Sequence, residues 1–146
     1  MSNFQYNDGG RKECGFKGDT GDCVTRAIAI ALELPYQRVY DDLNDLISQH
    51  RKTRLQKASS SRGGINKKFY RKYLESKGWK WVAFMGIGTG CKVHLKASEL
   101  PMGRIIARVS KHLCAVVNGV INDTHDCSRN GTRCVYGYFV SNHGYH

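Results

Sequence analysis

Six cysteines and six histidines give this 146-residue chain many potential Cys–His pairs, so position has to decide which of them could do chemistry. Cys23 follows Gly21 and Asp22 and begins the apolar run CVTRAIAIALEL, which predicts a central helix with Asp22 as its N-cap. A cysteine in a first helical turn lies near free backbone amides and the positive end of the helix dipole, which stabilise a thiolate. The same amides could bind an oxyanion. Cys23 is therefore the candidate nucleophile, and the alternative is a small buried thiol at the start of a core helix.

The sequence KHLCAVVNGVINDTHD supplies the candidate partners of this cysteine. Asn118 and Gly119 lie between two apolar runs and predict a hairpin with a two-residue type I′ turn, which places Cys114 opposite Asp123. His112 and Asp123 are then diagonal neighbours on one face, with backbones roughly 7–8 Å apart, within reach of a side-chain hydrogen bond. An acid in that position can orient an imidazole and stabilise its charged form. The alternative is a polar strand end with a solvated His and Asp.

A thiol at a helix N-terminus, followed by a histidine on a strand and an acid on the next strand, is the papain-like order. The motif Gly21-Asp22-Cys23 before an Ala/Ile-rich helix, and His112 followed by Asn122-Asp123-Thr124, resemble the papain-like cysteine peptidase superfamily. Within it, the chain is most similar to bacterial peptidases of the bacteriocin-leader type, and it also resembles small phage and prophage proteins. The resemblance implies a thiol protease or related hydrolase, with Cys23 as nucleophile, His112 as general base and acid, and Asp123 orienting the histidine. The family's oxyanion glutamine has no counterpart in the preceding segment GFKGDTGD.

The elements that would position these residues divide into helices first and strands afterwards. Helical periodicity covers residues 23–34, 36–47 and 65–77, and short β-rich runs cover 79–84, 104–110, 112–117, 120–124 and 135–140. The absence of a repeat or linker predicts one α+β domain over residues 1–146, papain-like by the resemblance, with helices packed on a C-terminal antiparallel sheet. Residues 1–17 are predicted to form a loosely held arm, and residues 51–64 an exposed basic loop.

The positive charge is concentrated in one part of the chain. The net charge is +11, and residues 51–80 contribute eleven basic side chains against one acid, which leaves only +1 for the rest. A local patch of this kind favours an acidic partner, either a protein or, with no recognised motif to support it, a nucleic acid. A solvated surface is the other interpretation. The predicted basic patch consists of Arg51, Lys52, Arg54, Lys67, Lys68, Arg71 and Lys72.

Composition and the remaining motifs exclude several classes of protein. Apolar residues make up 40% and charged residues 24%, as in globular proteins, and no run of ~18 apolar residues predicts a membrane span. The N-terminus lacks the apolar core of a signal peptide, so we expect a cytoplasmic protein, in the host if phage-encoded, with its cysteines as thiols. No metal or cofactor is expected, because the spacing of His125, Cys127 and Cys134 is not a zinc pattern and MGIGTGC lacks the GK[ST] of a phosphate loop.

Two functions follow as hypotheses. The first is a thiol hydrolase or acyl-transfer enzyme acting on a peptide, an isopeptide or a glutamine amide through Cys23, His112 and Asp123. The second is a non-catalytic protein of the same fold that uses the basic patch to sequester a host protein or a nucleic acid. Fold alone does not choose between them.

Overall fold

Within the residues that the structure describes, three helices and a six-stranded mixed sheet form an α+β arrangement. The computed structural model describes residues 4–10, 12, 23–53, 67–83, 90–110, 112–128 and 131–141, with the backbone alone at 50–53. The helices are α1 (Cys23–Leu32), α2 (Tyr36–Thr53) and α3 (Lys67–Ser76). The strands are β1 (Phe4–Tyr6), β2 (Trp79–Ala83), β3 (Arg104–Val109), β4 (His112–Val117), β5 (Val120–Asp123) and β6 (Gly137–Ser141), and a short 3₁₀ turn covers Ala97–Glu99.

The strand order is β1-β5-β4-β3-β6-β2. Strands β2 to β6 pair antiparallel, as expected, but β1 pairs parallel with β5, with Phe4 opposite Ile121. The prediction of a loosely held arm over residues 1–17 is therefore wrong for Phe4–Tyr6. Three residues are too few to show a period of two, and this strand forms because the edge of β5 offers it backbone hydrogen bonds. The amide of Asn7 continues that pairing by donating to the carbonyl of Asp123 at 2.8 Å.

The sheet separates two apolar clusters. All three helices pack on one face, where Ile28 of α1, Leu74 of α3 and Phe139 of β6 are fully buried. The other face is covered by connecting segments that contribute Leu95, Leu100, Cys127 and Val135. This arrangement confirms the packing of helices on a sheet that the sequence predicted, because the residues of β3, β4 and β6 alternate between two buried faces.

The β4–β5 hairpin has the predicted turn and register. Val117 pairs with Val120 and Ala115 with Asn122, and the turn residues Asn118 and Gly119 have φ angles of 51° and 81°. These positive φ angles are those of a type I′ turn. The turn also packs tightly, since a Cβ atom on Gly119 would lie 2.9 Å from the Cβ of Ala97.

Several element boundaries differ by one or a few residues from their predicted positions, and the end of α2 differs most. Helix α2 continues to Thr53, so residues 51–53 of the predicted exposed loop are helical, because the charged residues there are good helix formers. The rest of that loop, residues 54–64, and the predicted N-cap Asp22 lie outside the described residues. The last strand begins at Gly137 rather than at residue 135.

Cys91 and Cys134 form a disulfide, with Cα atoms 5.7 Å apart. The expectation that the cysteines are thiols is therefore wrong for this pair. Backbone hydrogen bonds from Val135 to Val93 and from Leu95 to Arg133 align the two segments and bring the cysteines within bonding distance. Their separation of 43 residues gave no local signal for this pairing.

Across the described part of the chain, no helix has the length and apolar character needed to cross a bilayer.

Candidate active site

Cys23 is the first residue of α1, and its side chain is half-buried. The first amides of a helix have no acceptor within the helix, so the sulfur lies at the end where hydrogen-bond donors and the positive dipole are concentrated. Helix α1 packs across β4, which carries His112 at its first position. The His112 side chain and the backbone of Leu113 lie close enough to the thiol to lower its pKa.

His112 connects the cysteine to an acid. Its Nε2 atom lies 2.6 Å from Oδ2 of Asp123, the last residue of β5. An ionised carboxylate only accepts hydrogen bonds, so Nε2 carries the proton and donates it. The structure thus brings together the three residues that the sequence singled out, Cys23, His112 and Asp123. The ring of His125 stacks obliquely on that of His112, with centroids 5.3 Å apart.

Asp123 is held by donors from separate parts of the fold. Its Oδ1 atom accepts the amide of Thr124 at 2.7 Å and a guanidinium N–H of Arg26 at 3.2 Å. Both side chains of the Arg26–Asp123 pair are buried. Burial alone would raise the pKa of this carboxyl, but the hydrogen bond and charge of His112 outweigh it and lower the pKa. Asp123 is therefore ionised when it contacts the histidine.

The local electrostatics favour a thiolate–imidazolium pair. Burial opposes the charge on Cys23, but its hydrogen bond to His112 and the charge of that ring lower the pKa of the thiol. Burial also opposes the charge on His112, yet its hydrogen-bonding partners, first of all the Asp123 carboxylate that accepts from Nε2, raise its pKa to about 11. Each partner stabilises the charged form of the other.

Sequence reasoning missed two further groups at this site, Arg26 and Cys127. Arg26 lies one turn after Cys23 in an otherwise apolar helix, and a charged residue in such a run was a signal that it has a buried partner. Cys127 follows β5 in a connecting segment, and its sulfur lies within 4.8 Å of a ring nitrogen of His112. The Cys114 hydrogen bond, with a smaller contribution from His112, lowers the pKa of Cys127, while the pKa of Cys114 is raised. Cys127 is only 3% exposed, whereas Cys23 is half-buried, so of these two thiols Cys23 is the one accessible to a substrate.

Among the described residues, two clusters contain atoms that could ligate a metal ion. Ligand atoms of His112, Asp123 and Cys127 lie within 4.8 Å of one another, as do those of Cys91, His94 and Cys134. Nitrogen and sulfur donors of this kind suit zinc. In the first cluster the carboxylate is already bonded to cationic partners, and in the second the two sulfurs are bonded to each other.

The predicted basic patch is placed only in part. Its four members on α3 are exposed: Lys67, Lys68, Arg71 and Lys72. Arg51 and Lys52 lie in the last turn of α2, but their side chains, and all of Arg54, are outside the described residues. A separate open groove of about 610 Å³ lies at the far end of α1, where Ile30, Arg104 and Asn118 contribute to its walls, and none of the three candidate catalytic residues lines it.

The geometry permits one type of chemistry directly. An accessible thiolate at a helix N-terminus, with an oriented imidazolium beside it, can attack a carbonyl and protonate a leaving group. The chain has no match among the protein-family models, the curated proteins or the solved structures, so a functional assignment rests on this geometry.

Proposed function

We propose that the protein is a papain-like thiol hydrolase or acyl-transfer enzyme that acts on a peptide, an isopeptide or a glutamine amide. One observation carries this proposal. Cys23 is half-buried in the first turn of α1, the His112 side chain lies close enough to lower the pKa of its thiol, and Asp123 holds Nε2 of that histidine at 2.6 Å. Nucleophile, base and orienting acid are the three roles that such a reaction requires.

The proposed reaction has two steps. The Cys23 thiolate adds to the carbonyl carbon of the amide, and the tetrahedral intermediate expels an amine that takes a proton from the His112 imidazolium, leaving a thioester. Neutral His112 then removes a proton from water, or from an acceptor amine, which attacks the thioester and releases Cys23. Because Nε2 is held by Asp123, the other ring nitrogen, Nδ1, exchanges protons with the reactants. Asp123 orients the ring and stays ionised.

Thiol labelling tests this proposal without knowledge of the substrate. Iodoacetamide is applied between about pH 5 and pH 9, and the rate at each cysteine is measured by mass spectrometry. Cys23 should label fastest, with a rate that is already high at about pH 6, whereas an ordinary thiol of pKa ~8.5 is then mostly protonated. The His112→Ala variant should move the rise in rate to higher pH.

His125→Ala is the matched control, because it removes an imidazole that contacts His112 and has no hydrogen bond to Cys23. Its labelling profile should follow that of the wild type. Circular dichroism checks that each variant is folded. Slow labelling of Cys23 at about pH 6, with no response to His112→Ala, would show that no activated thiolate exists and would refute the proposal.

A second candidate function is binding of an acidic protein or a nucleic acid through the basic surface. The observation in its favour is the exposed row of basic side chains on α3, formed by Lys67, Lys68, Arg71 and Lys72. Lys68, Arg71 and Lys72 can be changed without altering Cys23, His112 or Asp123, so the two functions can be tested independently.

A further inference from the structure

A second polar group lies beside Cys23, on the helix-covered face of the sheet. Arg108 of β3 pairs across the strands with Leu113, whose backbone lies close enough to the Cys23 sulfur to lower the pKa of the thiol. The guanidinium of Arg108 turns toward α3, where its Nη1 atom donates to the hydroxyl of Tyr70 at 2.5 Å. Residues from β3 and α3 therefore meet next to the thiol.

Tyr70 fixes the position of this guanidinium. The tyrosine is 2% exposed, and its ring packs edge-on against Phe139 in the core, with centroids 5.9 Å apart. Burial raises the pKa of Tyr70, Arg108 lowers it, and the nearby charge of Cys23 raises it further, so the phenol stays neutral within electrostatic range of the sulfur. A rigid phenol holds one N–H of Arg108, which is itself half-exposed.

Lys67 adds a second positive charge one turn before Tyr70 on α3. Its Nζ atom lies 5.1 Å from the centre of the Trp81 ring. Partial burial and the charges of Arg108 and Arg71 lower the pKa of Lys67, which shows that these cations lie close together. Within the described residues, no carboxylate pairs with either Arg108 or Lys67. Like charges that converge without a counter-ion favour the binding of an external anion.

We propose that Arg108, Tyr70 and Lys67 form a subsite for a substrate carboxylate, so that the preferred substrate is a peptide with an acidic side chain beside the bond attacked by Cys23. The inference rests on the proposed function, because the subsite is defined by its position next to the nucleophile. Arg108 supplies the directional contact, since its remaining N–H donors make no bond in the described part of the chain and a guanidinium matches a carboxylate in geometry. Lys67 adds a screened attraction.

Two alkylating reagents of nearly equal size test the subsite directly. Iodoacetate carries a carboxylate where iodoacetamide carries a neutral amide. The measured quantity is the ratio of their rate constants at Cys23, divided by the same ratio for N-acetylcysteine. A hydrogen bond to a charged group contributes about 1.5–3 kcal/mol, so we expect this relative ratio to be roughly tenfold or more above one. Arg108→Gln should bring it close to one, and Arg108→Lys should leave an intermediate value.

Lys67→Gln should lower the relative ratio by about two- to fivefold, as expected for an exposed charge. Lys80→Gln is the matched control, because it removes the same charge from the neighbouring strand β2 at an exposed position that alternates with Trp81. Its ratio should equal that of the wild type. If Arg108→Gln does not fold, Lys67→Gln and Arg108→Lys still decide the question.

The outcomes separate this inference from the proposed function. A relative ratio near one, with fast and His112-dependent labelling by iodoacetamide, would overturn the subsite and leave the enzyme proposal intact. An equal loss of rate for both reagents in Arg108→Gln would show that the arginine acts on the thiolate itself, which also overturns the subsite. Slow labelling of Cys23 by both reagents in the wild type would remove the proposed function and the subsite together.

Discussion

Asp123 is the residue on which the candidate site depends most. Its two carboxylate oxygens accept hydrogen bonds from a helix residue, Arg26, and from a strand residue, His112, and Thr124 adds a backbone amide. One buried carboxylate thus joins α1 to the β4–β5 hairpin and aligns the histidine. The cost of burying the charge is offset only while these partners are present.

The Asp123→Asn variant should be strongly destabilised. The substitution leaves the buried Arg26 guanidinium without its counter-ion, and breaking a buried pair in this way costs about 3–5 kcal/mol. The free energy of unfolding is measured with urea at neutral pH. Asp45→Asn, at an exposed position on α2, is the control and should change it by less than about 0.5 kcal/mol. A small loss for Asp123→Asn would mean that the carboxylate does not hold Arg26.

The same carboxylate predicts a dependence of stability on pH. The pKa of Asp123 is lower in the folded protein than its unfolded value of ~3.9, so the unfolded state takes up the proton first as the pH falls. The stabilisation is complete above about pH 4 and is lost as the pH falls toward the folded pKa. Urea titrations across this range should show a weaker acid dependence in Asp123→Asn than in the wild type, and parallel curves would contradict the prediction.

Cys127 should be acidic and yet unreactive in the folded protein. Its hydrogen bonds to Cys114 and His112 lower its pKa, but its side chain is buried. We therefore expect slow iodoacetamide labelling of Cys127 in native conditions and rapid labelling in urea. Cys127→Ser should leave Cys23 as the fastest-labelling cysteine. If Cys127 labels first in the native protein, accessibility does not select the nucleophile, and Cys127 replaces Cys23 in that role.

At the scale of elements, the β4–β5 hairpin and helix α1 each position part of the candidate site. The turn at Asn118 and Gly119 sets the register that puts His112 and Asp123 at neighbouring ends of β4 and β5. Helix α1 presents Cys23 at its first residue. Each element has a local sequence signal, but only their packing brings the sulfur to the ring.

Gly119→Ala tests the hairpin. The residue has a φ of 81°, and the new Cβ would approach that of Ala97 to 2.9 Å, so both backbone strain and a close contact oppose it. Gly90→Ala is the matched control, because Gly90 has a φ of 74° with no atom within 4 Å of a new Cβ. We expect a loss of about 1–2 kcal/mol for Gly90→Ala and a larger one for Gly119→Ala, measured by urea denaturation. Equal losses would show that the turn adjusts freely against Ala97.

At the scale of the whole molecule, the basic residues of α3 and the candidate active site lie on adjoining surfaces. The helix-covered face of the sheet carries Cys23, the candidate nucleophile, at the start of α1 and the exposed basic residues on α3. Exposed charges contribute little to stability, so the basic surface has to be judged by what it binds.

Reversing the charge at Lys68, Arg71 and Lys72 tests the binding function. Each is changed to Glu, and binding to a single-stranded oligonucleotide and to poly-glutamate is measured as a function of salt. If the surface binds nucleic acid, the logarithm of the wild-type affinity should fall with the logarithm of salt concentration, with a slope of about −0.7 per phosphate contacted, and the variant should lose binding. Iodoacetamide labelling of Cys23 should be unchanged. Binding that responds neither to salt nor to the reversal would show that these residues only keep the surface solvated.

The sequence by itself determined the features whose cause is local. Periodicity placed the helices and strands within a few residues, with the end of α2 and the start of β6 misplaced. Asn118 and Gly119 specified their turn because both adopt positive φ at little cost. That turn, with alternation along the strands, was enough to predict the contact between His112 and Asp123, and the first-turn position was enough to single out Cys23. The roles of these residues in catalysis, and the papain-like assignment, stay predictions.

The tertiary structure alone decided the contacts between distant segments. Arg26 and Asp123 are 97 residues apart, and Cys91 and Cys134 are 43 apart, so no local pattern records either pair. Strand β1 exists because β5 offers it an edge, and Arg108 lies beside Cys23 because β3 pairs with β4 under α1 and α3. Periodicity and turn residues indicate only the local conformation that a single segment prefers. Which buried charge meets which partner depends on how the layers pack, because pairing in the interior is selected by desolvation and distance rather than by neighbours in the chain.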